Sequence, residues 1–546
     1  MSKQENDDVI YLEQWLSFHP YQRPVQSDYY YLKLSNEIYA ILKDDFDITE
    51  SEYSAEETKN LACFLSCYFE DVISGPGLWR TFIGQVKELY GTWLPFYEPV
   101  NGRFFTDEYL PEEINYADVN FLLWYFFSKS ESDEDLISPE YMIDSYLPGK
   151  VFDILERRYE TAPENPQLKQ FYLLDPGQTA FSDVNKKLRW IVLDSWLLFF
   201  TGFEMDRMIE DNLEEEDEES LPEDTREEFV YDLSDTYALS ICTSLLAMQG
   251  KEWLARLLGA DHPLHRDILE MGEKKTGHYL FTKREGEYLL FRHLSTGTVL
   301  NVNTLSMTPP LDAVPGTTVI YAGFTLWRGS WWFSGSLAKF GDDPVLAEKL
   351  SNMEHEAMLF REEPEWKSGD PEGQHRAFLE YNRGKLMAFV ESRKEAERFI
   401  RSFYLHYNES LGLPGRKKRE RKQMILTDIR DTDAVLDTAF EFDEPTPGMI
   451  FFNPEHGIEA VSGYIGFIPD PDNPWYDPDE SADGAMDLLY SLRISGRWVH
   501  YILDEYDIPG LAFPGEGGGE MLMENLDFML RFWKESYYYP GGTRSF

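Results

Sequence analysis

Cysteine is scarce in this chain, with three residues among 546: Cys63, Cys67 and Cys242. So small and odd a number cannot build the disulfide framework that stabilises many secreted domains. We therefore predict free thiols and a reducing, cytoplasmic compartment.

Long apolar runs and an export signal are also missing. Residues 1–15 lack a basic start, an apolar stretch and a small-residue cleavage site. The most apolar windows, 121–127 and 196–200, are far shorter than the roughly 18 residues that a membrane-spanning helix needs. The sequence predicts no membrane association.

Positive charge is in short supply, since 50 Lys and Arg face 99 Asp and Glu, for a formal net charge of −49. Such a surface repels phosphates at long range, so nucleic acid is an improbable partner. Residues 210–228 hold twelve acids and one arginine. This acidic segment has little to bury, which predicts a linker or mobile loop.

The remaining composition is that of a folded protein, because 42% of residues are hydrophobic and 15% aromatic. Disordered chains have few of either. The length indicates three or four folded units. The patterns described below predict an α+β multidomain protein that is mainly helical.

Helix signals dominate the first two hundred residues. Ser54-Ala-Glu-Glu57 is a capping box, and the helix that it starts should end at the turn residues Ser74-Gly-Pro-Gly77. Ser138 before Pro139 is typical of another helix start. Ser182 and Gly202 bracket a third stretch with apolar residues at spacings of three and four. We predict a helical N-terminal domain.

Residues 277–335 change to five short β-rich runs separated by turn residues. Five strands in so few residues predict a small β-barrel-like module of the OB or SH3 size. Helices are expected again from 344 to 411, and a β-hairpin is expected from Met449–Phe452 and Ile458–Val461 in a mixed α/β C-terminal part.

These patterns predict seven segments along the chain. They are a helical domain over 1–206, an acidic linker or loop over 207–228, a helical segment over 229–273, the β module over 274–340, a helical segment over 341–412, a basic hinge over 413–424 and a mixed α+β part over 425–546.

The β module is locally basic, with seven basic and three acidic residues between Lys274 and Lys339. It also carries adjacent aromatics, and small barrels use such rings beside Lys and Arg as contact surfaces. The alternative is that the rings pack against the helical domain while the basic side chains pair with surrounding acids. The candidate binding residues are Trp327, Arg328, Trp331, Trp332, Phe333, Arg284 and Arg292.

Other motifs indicate little chemistry. The loop Asp470–Asp483 offers oxygen ligands without the spacing of an EF-hand, and residues 515–519 lack the Lys of a phosphate-binding loop. His262 and His265 have no second ligand pair. We predict no metal ligands and no cofactor.

An enzyme is the alternative to a binding protein. No hydrolase, metalloprotease or kinase motif is present, yet acids and bases can converge from distant positions. That hypothesis places a hydrolase-like site between the β module and the C-terminal part, using His278, His293, His456 and Glu459. A third interpretation is an acidic mimic of nucleic acid that occupies a DNA-binding protein.

Four stretches carry a resemblance to a known group of proteins: residues 15–21, 27–32, 293–297 and 331–335. They resemble an uncharacterised family of unknown function from gut-dwelling anaerobic bacteria of the Bacteroides type, over most of the chain. The resemblance implies a bacterial cytosolic protein and supplies no catalytic residue. The predicted function is binding or scaffolding, with a protein as partner.

Overall fold

The computed structural model divides the chain into two compact units, Met1–Arg361 and Glu362–Phe546. It describes residues 9–45, 53–97, 109–130, 137–175, 177, 180–215, 223–307, 318–341, 344–351, 360, 370–427, 446–478, 488–489, 491–506 and 518–538.

Helices make up most of the described first unit before residue 270. They are α1 Leu12–Ser17, α2 Gln26–Leu42, α3 Ala55–Ser74, α4 Leu78–Tyr90, α5 Tyr116–Ser130, α6 Pro139–Asp144, α7 Leu147–Tyr159, α8 Pro166–Tyr172, α9 Phe181–Arg189, a π-helical turn Trp190–Asp194, α10 Phe199–Glu215, α11 Glu223–Ser240, α12 Gly250–Leu258 and α13 His265–Leu269.

Local signals set several of these boundaries. The Ser54 hydroxyl accepts from the Glu57 amide while the Glu57 carboxylate accepts from the Ser54 amide, as the capping box predicts. Gly75 ends α3 in the left-handed region at φ +68°, and Ser138 caps α6. These predicted helix ends are confirmed.

The prediction that Gly202 ends a helix is wrong, because Gly202 lies inside α10. A Cβ atom at this position would come within 2.3 Å of the Leu193 carbonyl oxygen in the π-helical turn. Gly202 therefore serves the close approach of two backbone segments.

The predicted acidic linker is helical at both of its described ends. Helix α10 continues to Glu215, and α11 begins at Glu223. Residues 216–222 lie outside the described part of the chain. Whether the segment acts as a linker stays a prediction.

The five predicted strands of the β module are confirmed as a mixed sheet. They are β1 Lys274–Glu285, β2 Tyr288–His293, β3 Val299–Asn303, β4 Val319–Trp327 and β5 Ser330–Gly341, in the order β1-β2-β3-β5-β4 with β4 pairing back to β1.

Strands β3 and β5 pair in parallel through one residue pair, Val302 with Trp331, and this pairing closes the circle of strands. The other four strand pairings are antiparallel and longer. The module is thus a curled five-stranded sheet with a weak closure. Its assignment to an OB-like or SH3-like barrel stays a prediction. Buried Tyr279, Phe291, Val302 and Phe324 fill its interior.

The second unit combines helices with a three-stranded antiparallel sheet in the order β6-β7-β8. After α14 Pro344–Leu350 of the first unit come α15 Pro371–Tyr381, β6 Met387–Val390, α16 Arg393–Ser410, α17 Gly415–Thr427, β7 Gly448–Asn453, β8 Gly457–Ser462, α18 Gly496–Glu505, α19 Gly518–Glu524 and α20 Leu526–Trp533.

One feature of this unit departs from the sequence-based expectation. Strand β6 lies in a stretch predicted to be helical, and it exists because β7 pairs with it. The basic run 416–422 belongs to helix α17, and its action as a hinge stays a prediction. The predicted hairpin is confirmed by the pairing of β7 with β8.

A buried carboxyl group in the helical core gives a test of pH dependence. Asp118 on α5 accepts hydrogen bonds from the Tyr109 hydroxyl at 2.6 Å and the Tyr68 hydroxyl at 2.5 Å. Burial nevertheless raises the pKa of Asp118 from 3.8 to about 6, with the hydrogen bonds acting in the opposite direction. The folded state therefore favours the protonated form.

We expect the first unit to lose stability as the pH rises through this folded pKa, since the folded protein binds the proton more tightly than the unfolded chain. Between pH 5 and pH 7.5 the wild type should lose about 1–1.5 kcal/mol relative to Asp118→Asn, which does not titrate. Urea unfolding at both pH values measures this difference. The exposed control Asp153→Asn should follow the wild type, and equal slopes for all three proteins would contradict the prediction.

Candidate functional site

The predicted contact residues of the β module divide into buried rings and exposed cations. The Trp327 side chain is 0% exposed and Trp332 is 8% exposed. Trp331 and Phe333 are half-buried and pack against the interior of the module. Helix α11 packs against β5, so helical structure within the same unit covers this strand.

Ion pairs reduce the local positive charge of the module. Arg328, in the turn between β4 and β5, pairs with Asp267 at 3.0 Å, and Lys275 and Lys283 have acidic partners on the same strand region. Arg284 and Arg292 are exposed on β1 and β2. Of the seven candidate residues, these two and Arg328 present charge to solvent.

The residues of the enzyme hypothesis belong to different units. His278 and His293 lie in the first unit, where His293 is buried against Tyr279 and Phe360 and its Nδ1 contacts the Thr296 hydroxyl at 2.9 Å. His456 and Glu459 lie in the second unit, at and after the β7–β8 turn.

The loop residues proposed for a cation are partly engaged elsewhere. Asp470 pairs with Lys385 at 2.7 Å and accepts from the Tyr506 hydroxyl at 2.5 Å, while Asp472 also binds Lys385. Asp479 and Asp483, like residues 515–517, lie outside the described part of the chain.

A pocket of about 540 Å³ lies within the first unit, between α9 with the π-helical turn on one side and β5 on the other. Helix α11 contributes a further wall. The pocket is lined by aromatic rings, hydroxyls, an amide and three charged groups: Pro20, Phe171, Phe181, Ser182, Asn185, Lys186, Arg189, Trp190, Asp194, Tyr231, Ser306, Phe333, Ser334 and Gly335.

Asn185 supplies the most specific polar group of this helix–sheet pocket. Its Nδ2 donates to Asp235 Oδ1 at 2.7 Å, which fixes the orientation of the amide. Its Oδ1 is buried and accepts no hydrogen bond from any residue that the structure describes. A buried acceptor without a donor costs free energy, which a bound N–H or O–H group would recover.

Two cations flank this acceptor one helical turn apart on α9. Arg189 lies over the Tyr231 ring at 4.4 Å and donates to the Ser234 hydroxyl at 2.8 Å, so its guanidinium is held in place. Lys186 is exposed and forms no ion pair with any described residue. The pocket can thus offer positive charge to an anionic group.

A buried ion network holds the pocket wall. Lys274 Nζ lies 2.8 Å from Asp232 Oδ1 and 3.0 Å from Asp235 Oδ2. Asp235 also binds Asn185 and accepts from the Ser334 hydroxyl at 2.6 Å. Through these bonds the network connects β1, α11, α9 and β5, and fixes two residues that line the pocket.

The π-helical turn Trp190–Asp194 forms another part of the wall. The Ser195 amide donates to the Trp190 carbonyl at 2.8 Å, a bond that spans five residues. Such turns insert one residue into a helix and occur frequently at functional sites. Here the turn places Trp190 and Asp194 on the pocket.

Among the described residues, one group of three side chains has the donor atoms and the spacing to hold a metal ion. His19, Asp28 and Glu70 are buried, and one ligand atom from each lies within 4.8 Å of the others. No sequence pattern predicts this group, because His19 and Glu70 are 51 positions apart.

Comparisons with known proteins return a family without an assigned activity. The family described as "Protein of unknown function (DUF3843)" has a sequence model that matches residues 9–279. The match covers the helical part, with His19, Asp28, Glu70, Asn185 and Lys274, and stops before most of the β module. The expected resemblance to an uncharacterised family is confirmed over these residues.

No curated protein and no solved structure matches the chain. Within the described residues, no helix is both long enough and apolar enough to cross a membrane.

Proposed function

We propose that this protein binds a small ligand in the helix–sheet pocket. The observation that carries the proposal is the buried, unpaired Asn185 Oδ1 in an aromatic-lined cavity beside Lys186 and Arg189. Ligand sites typically combine an apolar lining with a few placed polar groups. The matching ligand has a flat apolar part, an N–H or O–H donor and an anionic group.

The β module has a defined part in this proposal. Phe333, Ser334 and Gly335 of β5 form one wall, so a residue of the predicted contact strand faces the ligand. A separate contact between the module and a protein partner is our second proposal. Its support is the exposure of Arg284 and Arg292, which places two cations on the solvent-exposed side of neighbouring strands.

Native mass spectrometry of the full chain, purified gently from its own host at low salt, tests the pocket. The wild type should carry an additional small-molecule mass. Ser182→Trp, which places an indole at the pocket lining, should lose that mass. The control Ala40→Trp, at an exposed position of α2, should retain it.

Two results would contradict the proposal. One is a small molecule that persists in Ser182→Trp at the same occupancy. The other is a combination of two findings: the wild type carries no additional mass, and no compound in a library of small aromatic carboxylates and phosphates shifts the thermal midpoint of the wild type differently from that of Ser182→Trp.

A catalytic function remains the alternative, and one observation in the second unit supports it. Burial raises the pKa of Glu459 to about 7 and lowers the pKa of Lys534 to about 7, and each side chain influences the other electrostatically. Groups that titrate near neutral pH are suited to proton transfer. The acidic composition alone supports the third interpretation, a mimic of nucleic acid.

We further propose a cytoplasmic location in a bacterium of the gut-dwelling Bacteroides type. The location is supported by the three buried cysteines, none of which forms a disulfide in the described part of the chain. The origin is supported by the resemblance of residues 15–21 and 27–32 to that group.

A further inference from the structure

The cluster of His19, Asp28 and Glu70 lies in the helical core of the first unit, and none of its three residues lines the helix–sheet pocket. His19 follows α1, Asp28 stands in the first turn of α2, and Glu70 belongs to α3. Their exposures are 4%, 0% and 0%. Three separate segments therefore bring one imidazole and two carboxylates together away from water.

The orientation of the imidazole is fixed by the backbone. His19 Nδ1 lies 3.0 Å from the Trp15 carbonyl oxygen, and a carbonyl oxygen can only accept, so Nδ1 carries a hydrogen. The other ring nitrogen, Nε2, lies 2.8 Å from Glu70 Oε2, so without a metal ion Nε2 also carries a hydrogen and donates to that carboxylate. A histidine whose Nδ1 donates to a backbone carbonyl can bind a metal ion through Nε2 once Nε2 has lost its hydrogen, which is the arrangement found around protein-bound metals.

The two carboxylates are also held by outer hydrogen bonds. Asp28 Oδ1 accepts from the Trp15 indole at 3.1 Å and from the Tyr21 hydroxyl at 3.0 Å. Glu70 Oε1 accepts from Asn165 Nδ2 at 2.8 Å. Asp28 Oδ2 also accepts from the Val25 amide at 2.6 Å. These bonds fix both carboxylates within 4.8 Å of the imidazole and supply the outer partners that metal ligands generally have.

Charge within the cluster favours a cation. No Lys or Arg among the described residues forms an ion pair with Asp28 or Glu70. Two carboxylates with a protonated imidazole carry one net negative charge, and with a neutral imidazole they carry two. Burying such unbalanced charge is costly. A divalent cation bound to neutral His19 and both carboxylates makes the cluster neutral.

We propose that His19 Nε2, Asp28 and Glu70 form a binding site for a divalent transition-metal ion. One imidazole nitrogen and two carboxylates match the ligands of Zn²⁺, and they suit Mn²⁺ and Fe²⁺ as well. Because the three ligands come from three segments, the ion joins the start of the chain to α2 and α3. The proposal does not depend on a ligand in the helix–sheet pocket.

The test uses the full chain, stripped with a chelator and titrated separately with Zn²⁺ and Mn²⁺. Isothermal calorimetry should show one tight site per chain for at least one of the two ions. The same ion should raise the thermal midpoint of the first unit by several degrees, because an ion that binds only the folded state stabilises it.

Glu70→Gln is the decisive variant. The amide oxygen can still accept from Asn165, and the amide N–H₂ can donate to neutral His19 Nε2, so the fold should persist. Tight metal binding should fall more than about 100-fold, since the loss of an outer partner alone costs 10–100-fold. Glu285→Gln, at an exposed position of β1, should bind as the wild type does and accounts for weak binding by surface acids.

The proposal is overturned if the wild type shows neither a tight site nor a shifted midpoint with either ion, or if Glu70→Gln binds with unchanged affinity. If Glu70→Gln fails to fold, Asp28→Asn replaces it and should show the same loss of metal affinity. The metal content of the wild type, measured by mass spectrometry after extensive dialysis, then gives a second test: a wild type without bound metal whose affinity Asp28→Asn leaves unchanged overturns the proposal.

Discussion

Replacing Lys274 with Met is expected to lower the free energy of unfolding of the first unit by about 3–5 kcal/mol. The Lys274 side chain is 2% exposed and is the cation that pairs with Asp232 and Asp235. Its removal leaves two buried carboxylates without a counter-charge. Breaking such a buried network is far more damaging than losing an exposed pair, because water cannot replace the lost partner.

The matched control is Lys283→Met, nine positions along the same strand. Lys283 pairs with Glu285, and both side chains are more than half exposed. Exposed pairs contribute between zero and about 1 kcal/mol, so this change should have little effect. Urea unfolding, together with hydrogen exchange of peptides from β1 and α11, compares the two variants.

A second-site test separates lost charge balance from lost packing. Adding Asp232→Asn and Asp235→Asn to Lys274→Met removes the unpaired charges and should restore part of the stability. The prediction is contradicted if Lys274→Met alone lowers the free energy of unfolding by less than about 1 kcal/mol. In that case the two aspartates are stable in the core without the lysine, and the ion network does not stabilise the pocket wall.

We expect two glycine-to-alanine changes inside helices to shift the free energy of unfolding of the first unit in opposite directions. Gly202→Ala should destabilise the first unit by about 3 kcal/mol, since the new methyl group would approach the Leu193 carbonyl oxygen to 2.3 Å and a backbone atom cannot turn aside. Gly84→Ala in α4 meets no atom within 4 Å and should stabilise the helix by about 0.5–1 kcal/mol.

Thermal unfolding and circular dichroism of both variants check this pair. Because Leu193 belongs to the π-helical turn, Gly202→Ala should also disturb the adjacent pocket wall. If both variants are stabilised, the two backbone segments are further apart than the structure places them.

The sequence predicted what depends on near neighbours. The Ser54 capping box, the end of α3 at Gly75 and the hairpin of β7 and β8 each depend on residues within a few positions. Strand β6 was missed because its four residues become a strand only by pairing with β7, whose residues come some sixty positions later. Gly202 was wrongly predicted to end a helix, because its function is to make room for the Leu193 carbonyl in the preceding π-helical turn, a contact that the sequence does not show.

The candidate sites were beyond the reach of sequence patterns for the same reason. Asn185 meets Asp235 across 50 positions, and Lys274 meets Asp232 across 42. Spacing rules find ligands that share one helix or loop, and these groups share neither. The Trp331-Trp332 pair shows a further limit. Alternation along β5 predicts that the two rings face opposite sides of the strand, but it does not show that Trp331 packs against the interior of the module or that Trp332 is only 8% exposed.

Because all three cysteines are buried in the first unit, their rate of alkylation measures how often that unit opens locally. Cys63, Cys67 and Cys242 are buried thiols of the first unit, and the second unit contains none. A thiol must reach water and ionise before an alkylating reagent can trap it. The rate of alkylation in native buffer therefore records how often the first unit opens, with no label to introduce and no contribution from the second unit.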